Sequence, residues 1–196
     1  MKIAVLSRVA HPLHGIGGLE RHVGALVRHL VRAGEEVTLY TAPADEKRAR
    51  LAGAHLEVVP YRLLPWPRRR GFVVADRNTN YLVWSLRVGR KVAASTVDIV
   101  QAEAAGGFGY AWLRTPGAAP LVLHPHGMEE FKSGLVKKTA YLPLRLAVRY
   151  AARRAERVLV PDGAMEKEVE GYLSVDPKRM VVLPNAVDLE EIDRPV

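Results

Sequence analysis

The amino-acid sequence predicts a single α/β domain of the Rossmann-like, doubly wound class, built on a mostly parallel sheet of about seven strands. Three observations predict it. Short runs rich in Val, Ile and Leu alternate along the chain with longer stretches of helical period, as in successive βαβ units. Most of those runs lack polar–apolar alternation, as strands do when helices cover both faces of their sheet. The chain's 196 residues, 48% of them hydrophobic, suffice for one well-buried core and are short for two.

The predicted strands are Lys2–Ser7, Glu36–Thr41, His55–Pro60, Asp98–Ala102, Pro120–His124, Arg157–Val160 and Met180–Leu183. The first helix follows from Leu19, Val23, Leu26, Val27 and Leu30, which recur at helical steps while Arg21, Arg28 and Arg32 face elsewhere. Gly34 supplies its stop. A second helix is predicted over Val74–Ala94, and a third over Tyr141–Ala155, where Pro143 is tolerated in the first turn. The fourth begins after Asp162, well placed as its N-cap, and fades near Leu173. The most irregular piece is the loop from Leu63 to Gly71, where a βα crossover would begin.

Composition narrows the function classes. No apolar run approaches the roughly 20 residues that cross a bilayer, and the opening apolar stretch is too short for a secretory signal. A cytoplasmic location is the natural expectation. The absence of cysteine excludes disulfide scaffolds, thiolate zinc sites and thiol nucleophiles. A formal net charge of +8 favours an anionic partner: nucleotide phosphate, lipid headgroup or nucleic acid. Nucleic acid is disfavoured, because the basic residues are spread over unlike elements and no reader motif is present. One glutamine, Gln101, and asparagine only at Asn78, Asn80 and Asn185 hint at a thermophilic source.

The first strand leads through His11-Pro12-Leu13-His14 into Gly15-Ile16-Gly17-Gly18-Leu19-Glu20, and the first helix starts at once. Glycines let a backbone approach a ligand, and a helix start offers free amides and a positive dipole end to phosphate or carboxylate. The dinucleotide fingerprint is not met: Glu20 fills its final small-residue position, and no carboxylate ends the second strand. A Gly-Lys-Ser/Thr phosphate loop is absent as well. Nicotinamide and NTPase readings therefore fall, leaving an anion cradle or a tight structural turn.

Gly15-Ile16-Gly17-Gly18-Leu19-Glu20-Arg21-His22-Val23 after Met-Lys-Ile-Ala-Val resembles the N-terminus of family-four glycosyltransferases with the GT-B fold. Leu123-His124-Pro125-His126-Gly127, Arg154-Ala155-Glu156-Arg157-Val158-Leu159-Val160-Pro161 and Val181-Val182-Leu183-Pro184-Asn185-Ala186-Val187-Asp188 agree in order and spacing. Two positions depart from the usual pattern. Ala186 stands where the family commonly has glycine, and Asp162 where a serine often begins the next helix. The resemblance implies half of a GT-B fold. Residues 1–188 would form the N-terminal acceptor-side domain and residues 189–196 the start of an interdomain linker, with the C-terminal donor-binding domain absent. It further implies a retaining transfer of a sugar from a nucleotide-sugar donor to a hydroxyl acceptor, needing no metal or other cofactor, with the lone chain inactive.

The same resemblance distributes roles. Gly17 and Gly18 would face the donor diphosphate, and His126 would lie near the donor sugar and the reacting centre as the catalytic residue. For Glu20 two roles stay open, orienting an acceptor hydroxyl or favouring the helix N-terminus. For Glu103, which lies at the same sheet edge, the alternatives are an acceptor contact and a solvated carboxylate. Asn185 and Asp188 are assigned structural or interdomain roles. His124 and His126 would share a face if both lay in a strand, but without a third ligand nearby in sequence no metal site is assigned, and His124 is read as a packed core residue. Arg145, Arg149 and Arg153, with Lys137, Lys138, Trp66 and Arg68–Arg70, suggest a face for anionic lipid at the inner membrane; an ordinary solvated arginine face is the plainer alternative. A non-catalytic anion- or membrane-binding module is the competing reading of the whole chain.

Overall fold

A computed structural model describes residues 1–44, 51, 53–61, 73–126, 128–132 and 134–184. Trp66, Arg68–Arg70, Gly127, Asn185, Ala186, Asp188 and the linker expected at 189–196 lie outside the described residues.

Seven strands form one sheet among the described residues: β1 (Lys2–Leu6), β2 (Glu36–Thr41), β3 (His55–Val58), β4 (Ile99–Glu103), β5 (Leu121–His124), β6 (Arg157–Val160) and β7 (Met180–Val182), in the order β3-β2-β1-β4-β5-β6-β7. Every pairing is parallel. All predicted strands are present, with small shifts at their ends.

Helices α1 (Gly18–Arg32), α2 (Val73–Ala93), α6 (Leu142–Arg154) and α7 (Gly163–Leu173) match the four predicted from periodicity. Their ends follow local chemistry. Gly34, with φ of 85°, turns the chain out of α1 while its amide bonds the Val31 carbonyl. Asp162 caps α7 by accepting from the Met165 amide at 2.8 Å. Three helices were not expected: α3 (Phe108–Leu113), which continues a 3-10 turn at Ala104–Gly107, α4 (Glu129–Lys132) and α5 (Leu135–Ala140). Each is too short to show a period in sequence.

The sheet carries a core on each face. Along β1, Ile3 and Val5 face one side and join Val23 and Val27 of α1 with Val37 and Leu39 of β2. Ala4 and Leu6 face the other, with Trp84 and Val88 of α2, Tyr110 of α3 and Val148 of α6. The strand thus looks uniformly apolar yet alternates between two interiors. Each fully buried Val or Leu contributes roughly 1.5–3 kcal/mol, so the two cores hold the sheet edge that carries the polar site.

Candidate active site

The chain leaves β1 for β2 and β3, then returns to place β4 on the other side of β1. Strand order therefore reverses between β1 and β4, and in open parallel sheets the crevice beyond the C-terminal strand ends at such a point is where ligands bind.

One wall of that crevice is the glycine loop. Gly17 is the N-cap of α1, no side chain caps the helix, and Gly17 and Gly18 are exposed. The Glu20 carboxylate folds back over Gly17: a Cβ added there would lie 2.2 Å from Oε2. The loop is pinned from beneath. The His11 amide donates to the Glu20 carbonyl at 2.8 Å, and its Nδ1 donates to the Gly15 carbonyl at 2.9 Å. His14 accepts from the Ala10 amide through Nδ1, so its Nε2 carries the proton it donates to the Ala42 carbonyl. A Cβ on Gly24 would come within 2.4 Å of the His11 carbonyl oxygen, so the loop rests on α1 because that position is glycine.

The other wall comes from β4, β5 and the turn after β5. Glu103 and His124 are paired in register at the ends of neighbouring strands, which puts their side chains on one face. Strand β5 stops at His124, and His126 adopts a left-handed backbone with φ of 59°. Its ring stacks on that of His124 at 4.0 Å between centroids and 26° between planes. The two histidines therefore share a face, but through this turn and not through the strand geometry considered above. Ala104 and Met128 are also left-handed, at φ 46° and 50°. Each such non-glycine residue costs about 1–2 kcal/mol, and strain of this kind gathers at functional sites.

Glu103 is fully buried, which removes its reading as a solvated carboxylate. Its Oε2 accepts from His126 Nε2, its Oε1 accepts from Gln101 Nε2 at 3.2 Å, and its main-chain carbonyl accepts from the Tyr81 hydroxyl at 3.2 Å. His124 Nδ1 lies 3.9 Å from Oε2 and 3.3 Å from His22 Nε2, close enough for those two rings to share one proton. His124 is buried, as read from sequence, yet its imidazole faces this polar cluster.

Burial alone would raise the Glu103 carboxyl; the hydrogen bond from His126 and the surrounding imidazoles outweigh it and hold the carboxyl below the usual range. Burial, followed by the neighbouring His126, lowers the His124 imidazole to about 4. Burial likewise lowers His22. The cluster is thus a buried anion faced by two imidazoles held neutral near pH 7, with a third imidazole bonded to it. With Nε2–H donated to Glu103, the His126 ring has Nδ1 as its other ring nitrogen, free of that bond.

His22 is the member that sequence reasoning missed. Its signal was available: it falls between Leu19 and Leu26 at helical steps, a polar residue on the apolar stripe of α1. Tyr81, Gln101 and Arg8, whose guanidinium lies 5.4 Å from the Tyr81 ring centre, have no such local signal. The arginine stripe is partly engaged elsewhere. Arg145 and Arg149 lie over the Phe131 ring at 5.0 and 5.7 Å, and of the stripe only Arg153 is exposed.

The comparison with protein families settles what scaffold this is. The family model described as Glycosyltransferase Family 4 matches residues 16–191. The chain belongs to glycosyltransferase family 4. This family 4 domain is similar to the sucrose-phosphate synthase of Thermosynechococcus elongatus, at 13% identity and a TM-score of 0.71, over 96% of this chain and 49% of that one. The catalytic domain of starch synthase IV from Arabidopsis thaliana, bound to ADP and acarbose, matches at 16% identity and a TM-score of 0.68, over 97% of this chain and 52% of that one. The Anabaena protein HepE in complex with UDP matches at 18% identity and a TM-score of 0.61, over 97% of this chain and 45% of that one. The chain spans about half the length of these structures, and the likeness is one of fold: a single Rossmann-like half of a GT-B architecture, consistent with an N-terminal domain. No curated protein sequence matches it significantly.

Proposed function

We propose that this family 4 domain is the acceptor side of a retaining glycosyltransferase, which moves a sugar from a nucleotide-sugar donor to a hydroxyl on a glycan, glycolipid or small molecule. The opposite wall of the cleft is a second, donor-binding Rossmann-like domain. The observation that carries this reading is His126, bonded through Nε2 to the buried Glu103 and lying 5.2 Å, ring to ring, from His22, one turn inside the helix that the glycine loop opens. The UDP held by HepE and the ADP held by the starch synthase support a nucleotide-linked donor.

In this reading the Gly17 and Gly18 amides meet the donor diphosphate, and the Glu20 carboxylate swings off Gly17 as the like-charged phosphate arrives. Glu20, once displaced, is available to an acceptor hydroxyl. His126 addresses the donor sugar while Glu103 fixes its ring and balances any positive charge on it. Because Glu103 is enclosed and turned toward His126, it positions that ring and is not offered as a nucleophile. The rate comes from aligning the acceptor hydroxyl with the donor carbon and from stabilising the departing diphosphate. In this reading the transfer needs no metal or other cofactor.

We place the enzyme in the cytoplasm, in peripheral contact with the inner membrane face. No described helix is long and apolar enough to cross a membrane. The surface that supports peripheral contact is one stripe of α6, where the exposed Leu142 and Leu146 are followed at helical steps by Arg149 and the exposed Arg153, with exposed Leu135 nearby on α5.

The test is transfer and donor hydrolysis by this chain alone and joined to a family 4 donor-binding domain. Activity is expected only in the joined protein, and His126→Ala should lower its kcat by about 100-fold or more. Full transfer by the lone chain overturns the need for a second wall, and unchanged turnover in His126→Ala overturns the role of that residue. Absence of transfer in any pairing leaves the non-catalytic anion-binding module.

A further inference from the structure

Four side chains from three separate stretches of the chain bring ligand-type atoms together. One ligand atom from each of His22, Glu103, His124 and His126, an imidazole nitrogen or a carboxylate oxygen, lies within 4.8 Å of the others. We propose that His22, Glu103, His124 and His126 form a binding site for a single divalent transition-metal ion of the zinc class.

The geometry is close to that of a tetrahedral cage. Bonds of about 2.0–2.1 Å to such an ion require neighbouring ligand atoms about 3.4 Å apart. The His22–His124 pair stands at 3.3 Å and the His124–Glu103 pair at 3.9 Å, while His126 Nε2 and Glu103 Oε2, in hydrogen-bond contact with each other, have to part to admit the ion. Three of the four ligands sit on regular elements that cannot drift apart: His22 on α1, Glu103 and His124 at the register-paired ends of β4 and β5. His126 is brought in by its left-handed turn.

The donor chemistry selects the ion. Three imidazoles and one carboxylate suit zinc, cobalt or nickel, whereas magnesium and calcium take oxygen ligands. On binding, each ring keeps its single N–H on the nitrogen facing away from the ion, and the proton that His126 Nε2 donates to Glu103 moves to Nδ1. One carboxylate leaves a net charge of about +1 in a small, largely enclosed space. A supporting contact is already in place: Gln101 donates to Glu103 Oε1 and so leaves Oε2 as the oxygen that faces the histidines.

An ion held here takes His126 Nε2 and Glu103 Oε2 out of the hydrogen bond that the proposed transfer uses, so the loaded site is not the transfer-competent state. Binding is measured without donor or acceptor, and the two readings fail separately. The whole chain, stripped with chelator, is titrated with Co²⁺ and then Zn²⁺. One equivalent of Co²⁺ should give the intense visible bands of a four- or five-coordinate ion, and Zn²⁺ should abolish them. The thermal midpoint should rise with either metal. His22→Ala and His124→Ala should each weaken Zn²⁺ binding by about 100-fold or more, with far-ultraviolet circular dichroism confirming the fold. Should either alanine variant unfold, the near-isosteric Glu103→Gln serves instead, with the same loss of affinity expected. Absence of the cobalt bands overturns the site. So does equal affinity in the folded variants, which would locate binding at His11, His14, His29 or His55.

Discussion

Single residues in this domain do their work through partners distant in sequence. Glu156 is the clearest case outside the site: both its carboxylate oxygens accept from the Arg114 guanidinium, at 2.9 and 3.0 Å, and Oε2 also accepts from the Leu121 amide at 2.6 Å. It thereby ties the start of β5 to the end of α3. Partial burial would raise the Glu156 carboxyl, but the Arg114 and Leu121 hydrogen bonds prevail and lower it from its ordinary value of 4.5. A depressed folded-state value means that the contribution is complete above about pH 4.5 and is lost as pH falls through the folded value. Because the side chain is 46% exposed, solvent screening limits the effect to a few tenths of a kcal/mol up to about 1 kcal/mol. Urea unfolding as a function of pH should show Glu156→Gln less stable than the parent at neutral pH, with the gap closing in acid. A gap independent of pH would mean that charge is not what the residue contributes. In sequence, Glu156 is only part of the Arg-Ala-Glu-Arg stretch, and nothing local names Arg114 as its partner.

Elements show where glycine matters. Helices α2 and α3 touch backbone to backbone: a Cβ on Gly109 would lie 2.0 Å from the Ser85 carbonyl oxygen, and one on Gly89 would lie 2.2 Å from the Gly109 carbonyl carbon. The contact is closed by the Ser85 hydroxyl, which donates to the Gly106 carbonyl at 2.9 Å and accepts from the Gly109 amide at 2.9 Å. This packing holds the 3-10 turn directly after Glu103, so it sets where β4 delivers its carboxylate. Gly109→Ala should cost about 3 kcal/mol or more, because backbone and not a flexible side chain would have to move. Gly171 in α7 has open space around it, and Gly171→Ala should stabilise the domain by up to about 1 kcal/mol. Opposite signs in thermal unfolding test the claim; a neutral Gly109→Ala would refute it. The four long helices were legible because each carries several turns of periodic apolar residues, whereas α3 owes its existence to this close approach and shows no period of its own.

For the whole molecule, the net charge of +8 and the α6 stripe bear on where it works. Sedimentation with vesicles rich in anionic lipid should capture the protein, and zwitterionic vesicles should not. Arg153→Glu should weaken capture on the order of tenfold, since each basic residue near such a surface contributes about 1 kcal/mol. Added salt should have the same effect. Equal binding to both vesicle types would reduce the stripe to an ordinary solvated face, the more so because Arg145 and Arg149 already pack over Phe131.

Read as a string, the chain determined its fold class, its strand positions, its long helices and the helix-opening glycine loop, because each rests on periods and turn residues that act within a few positions. Folding in three dimensions decided the site. His22, Glu103, His124 and His126 are separated by as many as 104 positions, and they meet only because strand order reverses between β1 and β4, register aligns Glu103 with His124, and a left-handed turn folds His126 back onto its neighbour. Pairing register and backbone handedness are properties of the packed chain, and single-sequence patterns do not encode which residues they bring face to face.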